Sequence, residues 1–167
     1  MKILGIDTTT KMLCVGVYDD GKACEYNVEL GRKHSALVVT TVKRVLDALR
    51  WQAKDLDYFV CGAGPGSFTG VRIGAAAIKG LAWSLKKPIV SVSSLDILAG
   101  NAPCEGTIVP AIDAKRGLIY SSIYENRNGK LKRLAPYMLL PAEEFLKKIK
   151  PGSVISTDWT YDSPGAR

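Results

Sequence analysis

Gly62-Ala63-Gly64-Pro65-Gly66-Ser67-Phe68-Thr69-Gly70-Val71-Arg72-Ile73-Gly74 joins an apolar stretch, Tyr58-Phe59-Val60-Cys61, to a long run rich in small residues. Glycine permits positive φ and close backbone approach, Pro65 fixes φ and removes an N–H, and Ser67 stands where a helix N-cap belongs. The segment therefore reads as a strand, a built turn and a helix. Such a turn is open to two roles, a plain strand-to-helix connection or an anion site at the helix N-terminus. The familiar phosphate loops do not fit it. A Walker loop needs Gly, four residues and then Gly-Lys-Ser/Thr, which is absent. A dinucleotide fingerprint from Gly64 and Gly66 would need a third glycine at Thr69 and an acidic residue near 83–88, where none stands. A nucleophile elbow on Ser67 would need glycines at Pro65 and Thr69, and the one histidine is His34, which argues against a serine hydrolase.

On the N-terminal side, strand patterns at 2–7, 12–18 and 22–30, with the turn signal Asp19-Asp20-Gly21, form an antiparallel meander. A helix capped by Ser35 follows, with Val38, Val42, Val45 and Leu49 on one apolar stripe, and ends near Trp51. On the C-terminal side the helix runs over 68–85, stops at Lys86-Lys87-Pro88, and leads to a strand at 89–92 and a short helix at 94–99. Composition turns to Gly, Asn, Pro and Cys over 100–106, and strand patterns restart at 107–113 and 118–125. A helix at 142–150, a strand at 153–157 and a tail at 161–167 complete the chain. This order predicts a lobe at 1–102 and a second lobe at 103–167 that repeats its opening but is short or truncated.

Composition bounds the function. The chain has 167 residues, 47% of them hydrophobic, as globular proteins do. Cys14, Cys24, Cys61 and Cys104 show neither C-x-x-C pairing nor histidines at metal spacing, so a zinc site and a secreted disulfide framework are not expected. A reducing cytoplasm fits. The N-terminal apolar run is cut by Asp7, and Arg72 and Lys79 interrupt the helix after Ser67, so no membrane segment is expected. The net charge of +7 attracts nucleic acid, with Arg127, Lys130, Lys132, Arg133, Lys147, Lys148 and Lys150 late in the chain. The same residues also read as a solvated face, because no aromatic residues interleave with them at stacking positions.

Gly70, Gly74, Ala77 and Leu81 fall on one face of the helix after Ser67. Small residues at this spacing let helix backbones approach closely, either within the unit, on the Val38 stripe, or across to another subunit. Glu143-Glu144 sit where acidic residues suit a helix N-terminus.

The glycine-rich segment resembles, over its whole length, the signature of the bacterial TsaB (YeaZ) family, Gcp-like proteins of the tRNA threonylcarbamoyladenosine pathway. Lys2-Ile3-Leu4-Gly5-Ile6-Asp7-Thr8-Thr9-Thr10 resembles the family's start, Arg32-Lys33-His34-Ser35 the approach to its first helix, and Pro110-Ala111-Ile112-Asp113-Ala114-Lys115-Arg116-Gly117 its second-lobe hairpin. The likeness covers residues 1–124, and Leu118 stands where the family more often has an acidic residue. The resemblance implies an α/β, actin-like and Hsp70-like (ribonuclease H-like) two-lobe fold. It places Asp7, Thr8, Thr9 and Thr10 where actin-like ATPases grip phosphate, although those enzymes have a glycine about where Thr9 stands. The turn is then either a vestigial nucleotide site or one stabilised by its own hydroxyls. Catalytic relatives bind a metal through two histidines four residues apart on the first helix, whereas Val38 stands four residues after His34. No catalytic residue, metal or cofactor is therefore expected. The resemblance further implies an interface on Val38, Val42, Val45, Leu49, Gly70, Gly74, Ala77 and Leu81. Its partners would be a TsaD-type catalytic paralogue, a TsaE-type ATPase and, through the complex, tRNA, with a homodimer when alone. The competing class is a minimal actin-like ATPase or a Gcp-like peptidase.

Overall fold

A computed structural model describes residues 1–29 and 34–157, and the side chains of all of these except 34–36. The expected roles of Arg32 and Lys33, of the His34 and Ser35 side chains and of the tail at 161–167 lie outside the described residues. The chain forms two units, Met1–Ser94 and Leu95–Arg167.

The first unit runs β1 (Lys2–Asp7), β2 (Met12–Asp19), β3 (Lys22–Glu29), α1 (His34–Ala48), β4 (Tyr58–Gly62), α2 (Phe68–Leu85) and β5 (Ile89–Val92). Its sheet has the order β3-β2-β1-β4-β5. The first three strands are antiparallel, and β4 and β5 are parallel to β1 and to each other. Strand alternation puts Leu4 and Ile6 opposite Val17 and Val15 on one side and Phe59 and Cys61 on the other, all buried with Leu13. Val38, Val42 and Leu46 of α1 and Ile78 and Ala82 of α2 close over this face. Each fully buried aliphatic or aromatic side chain stabilises the unit by about 1.5–3 kcal/mol. Helix α1 stops at Ala48 rather than near Trp51, because Arg50 is left-handed (φ 56°) and the Trp51 N–H turns back to the Leu46 carbonyl at 2.9 Å.

After α3 (Ser94–Gly100), the second unit runs β6 (Gly106–Lys115), β7 (Leu118–Ser121), β8 (Tyr124–Arg127), β9 (Lys130–Arg133), β10 (Met138–Pro141), α4 (Ala142–Lys148) and β11 (Val154–Thr157). The strand expected over 118–125 is two strands, yet both keep one register against β6, with Ala111 opposite Ser121 and Ile108 opposite Tyr124. The break at Ser122-Ile123 is where the chain crosses from β9 to β10. The Ile123 carbonyl accepts the Leu134 and Ala135 N–H groups, and the Ser122 hydroxyl donates to the Ala135 carbonyl at 2.8 Å. β11 pairs in parallel with 108–111 of β6, whose other edge holds β7 and β8, so β6 is the central strand. A cluster of Ile108, Tyr124, Ala99 and Ala102 lies on one face of β6, and Val109, Ala111, Ile119 and Phe145 lie on the other. Strands β9 and β10 have no counterpart in the sequence reading. All four residues of β9, Lys-Leu-Lys-Arg, are exposed, so no alternation marks them.

Candidate functional site

The strand β1 ends in a turn that the rest of the first unit encloses. Asp7 takes the Thr9 N–H on Oδ1 at 2.7 Å and the Ser94 hydroxyl on Oδ2 at 2.9 Å. Ser94 Oγ and Thr9 Oγ1 are 2.7 Å apart. The single hydroxyl hydrogen of Ser94 goes to Asp7, so Thr9 is the donor in that pair. Thr8 Oγ1 donates to the Gly70 carbonyl at 2.7 Å, and the Thr9 carbonyl accepts the Ser67 N–H at 2.6 Å. Thr8 and Thr9 are 1% exposed and Asp7 is 9% exposed, while Thr10 is half-buried with its hydroxyl accepting the Met12 N–H.

The glycine-rich segment explains itself against this turn. A Cβ at Gly62 would collide with the Asp7 carboxylate, one at Gly66 with the Thr9 carbonyl, and one at Gly70 with the Thr8 carbonyl. At Gly74 it would lie 2.6 Å from Thr8 Oγ1. Four glycines spaced by four residues thus clear a path for one buried turn. Ser67 caps α2 by accepting the Gly70 N–H at 3.2 Å, and the Ser94 N–H returns to the Gly64 carbonyl at 2.8 Å. The Asp7 carboxylate and the Thr8 and Thr9 hydroxyls thus all bond to groups of the same unit. Cys14, opposite Asp7 on β2, is pushed up to about 11 by burial, with the Asp7 and Glu25 charges adding to the rise. Burial and Asp7 also raise the Cys61 thiol, against an opposing effect of Lys79.

The eight residues expected at an interface on α1 and α2 divide by burial. Gly70 and Gly74 are buried against Thr8, and Val38 and Val42 are buried in the core. Val45, Leu49, Ala77 and Leu81 are half-buried and pack against that core. The solvent face of α2 is a different one: Phe68 and Trp83, 69% and 88% exposed, stand at its ends, with Arg72, Ala76, Lys79 and Gly80 between them. The Arg72 guanidinium lies 3.7 Å from the centre of the Phe68 ring, and Val39 of α1 is also exposed. Sequence reasoning missed this face because small residues drew attention to the inward side; the apolar residues at 68 and 83, out of phase with the glycines, were the available signal. It missed Ser94 because a serine opening a helix reads as a cap.

In the second unit, Asp113 takes the Lys115 N–H on Oδ1 at 2.7 Å and the Lys115 ammonium on Oδ2 at 2.6 Å, in an exposed turn. Asp96 accepts the hydroxyls of Tyr124 and Tyr137, and burial together with the Asp96 bond pushes the Tyr124 hydroxyl well above the ordinary tyrosine range. Among the described residues no group of three or more His, Cys, Asp and Glu is placed to hold a metal, and no helix is long and apolar enough to cross a membrane.

The family model of the tRNA N6-adenosine threonylcarbamoyltransferase, TsaD, matches residues 28–162. The chain is 38% identical over 152 residues to the tRNA threonylcarbamoyladenosine biosynthesis protein TsaB of Bacillus subtilis, covering 90% of this chain and 66% of that protein. It is 34% identical to the TsaB of Escherichia coli over 77% of this chain and 58% of that one. To the TsaB of Buchnera aphidicola (Schizaphis graminum) it is 31% identical over 93% and 78% respectively. The chain therefore spans less than two thirds of the length of the first two relatives. Among solved structures, YeaZ from Pseudomonas aeruginosa superposes with a TM-score of 0.83 at 24% identity, covering 95% of this chain and 84% of that one. That likeness shows the fold, a mixed α/β one.

Proposed function

Because this chain belongs to the TsaB (YeaZ) family, within the reach of the TsaD family model, we propose that it serves tRNA threonylcarbamoyladenosine biosynthesis as a non-catalytic, cytoplasmic subunit. It pairs with a TsaD-type catalytic subunit, works in a complex with a TsaE-type ATPase, and meets tRNA through that complex. The observation that carries this reading is the closed Asp7 turn. An actin-like active site keeps its hydroxyls and carboxylate open to phosphate, whereas here Asp7, Thr8 and Thr9 bond to Ser94 and Gly70 and are buried. The same packing leaves α2 presenting Phe68, Arg72 and Trp83 to solvent, an aromatic and cationic face of the composition that protein interfaces favour. We assign pairing to that face and to Val39 of α1.

The test is mass spectrometry of tRNA nucleosides from a strain depleted of its own TsaB and supplied with this chain, with the TsaD-type subunit recovered by pull-down in parallel. Restored modification with recovery of the partner is the expected result. Replacing Trp83 by Glu should abolish both while leaving the thermal melt unchanged. Modification restored without pairing, or ATP turnover by the purified chain alone, overturns the reading.

A further inference from the structure

The second unit carries a cationic strip that the pairing reading does not use. From Arg127 to Met138 the chain holds Arg127, Lys130, Lys132 and Arg133 and no acidic residue. Residues 127–134 are all exposed, and β9 is an outermost strand of its sheet, paired with β8. Arg127 and Lys130 face each other directly across the Asn128-Gly129 turn. Like charges in that position destabilise a hairpin, so hairpin formation alone does not account for them. Glu125, opposite Lys132, is paired with Arg127 at 2.8 Å, and neither Lys130 nor Lys132 has an acidic partner among the described residues. At the end of the strip the Arg133 guanidinium lies 4.2 Å from the centre of the Tyr137 ring. That ring is 45% exposed and is held by its hydroxyl on Asp96 at 2.9 Å.

Resting on the functional reading above, we infer that the β8–β9 edge of the second unit, Arg127, Lys130, Lys132 and Arg133 with Tyr137, is a contact surface for the backbone and an unstacked base of tRNA. Free ammonium groups on an exposed ribbon neutralise phosphates by releasing counterions. A fixed aromatic ring beside them is the platform on which loop nucleotides stack. Tyr137 follows Arg133 by four residues, and the fold turns its ring under the guanidinium.

The experiment titrates the complex of this chain and a TsaD-type subunit with a tRNA transcript at several salt concentrations. Replacing Lys130 and Lys132 together by Ala should weaken binding about tenfold near physiological salt and lower the slope of log K against log salt by about 1.4, two single-strand phosphate contacts. Lys147→Ala with Lys148→Ala, on α4, should leave both values unchanged. A folded, partner-bound Lys130/Lys132 variant with wild-type affinity and slope overturns the inference. So does a variant that loses the TsaD-type subunit instead, which would make the strip a site for an acidic protein surface. If wild type already fails to restore modification in the depleted strain, the functional reading fails, an outcome distinct from a failing strip in an active complex.

Discussion

The turns at Asp7 and Asp113 begin alike and end in opposite environments. Gly5-Ile6-Asp7 closes β1 and Ala111-Ile112-Asp113 lies near the end of β6, and each aspartate accepts the N–H two residues on at 2.7 Å. Each of these strands also has an antiparallel neighbour on one edge and a parallel strand, β4 or β11, on the other. At Asp7 the glycine-studded segment seals the turn, so its remaining polar groups find protein partners. At Asp113 the turn is exposed, and Lys115, Arg116 and Gly117 take positive φ values of 66°, 55° and 74° in turn. One local motif thus serves as a buried lock in the first unit and as a hairpin tip in the second. What separates them is what packs on top.

The comparison breaks most decisively at Gly70. Gly70→Ala drives a methyl into the Thr8 carbonyl, a backbone atom with nowhere to move, and should cost about 3 kcal/mol or more in a urea melt. A small cost would mean that the turn is looser than a lock. Next comes Ser94→Ala, which removes a donor from the Asp7 carboxylate and the acceptor for Thr9 in a buried site. Its unfolding free energy should fall by about 1–3 kcal/mol, and a neutral result would show that water replaces the serine. The tip of the other turn should respond less. A Cβ at Gly117 meets open space, so Gly117→Ala should lose only the left-handed conformational term, about 1 kcal/mol, by the same melt.

The last test changes no stability at all. Cys14 sits opposite Asp7, and a thiol pushed up to about 11 is roughly a thousandth ionised at pH 8. Timed alkylation with peptide mapping should modify exposed Cys24 well before Cys14, whose rate should climb as pH rises toward 11. In a Ser94→Ala protein, faster Cys14 labelling would report opening of the lock. Equal rates at Cys14 and Cys24 in the wild type would sink the picture of a sealed turn.

Most of the first unit was legible because its signals are local. Alternation marks β1 and β2, the turn Asp19-Asp20-Gly21 joins β2 to β3, and Ser67 caps α2 where a serine before a small-residue helix should. The second unit was legible only in part. β9 shows no burial pattern, and the split between β7 and β8 depends on Leu134 and Ala135, residues that return to Ile123 from the far side of a hairpin.

The sequence by itself determined the sheet-and-helix grammar, the capped glycine-rich turn and the likeness to TsaB proteins, because periodicity, capping and turn chemistry act over a few residues. It also announced, through glycines at 62, 66, 70 and 74, that something must approach α2 and its leading turn closely. What approaches was decided only in three dimensions. Thr8 lies 62 residues from Gly70, and Ser94 lies 87 residues from Asp7, distances at which no local pattern operates. The same packing turned the small-residue face inward and Phe68 and Trp83 outward, since a backbone carbonyl tolerates no Cβ beside it while a bulky ring at the helix surface meets only solvent.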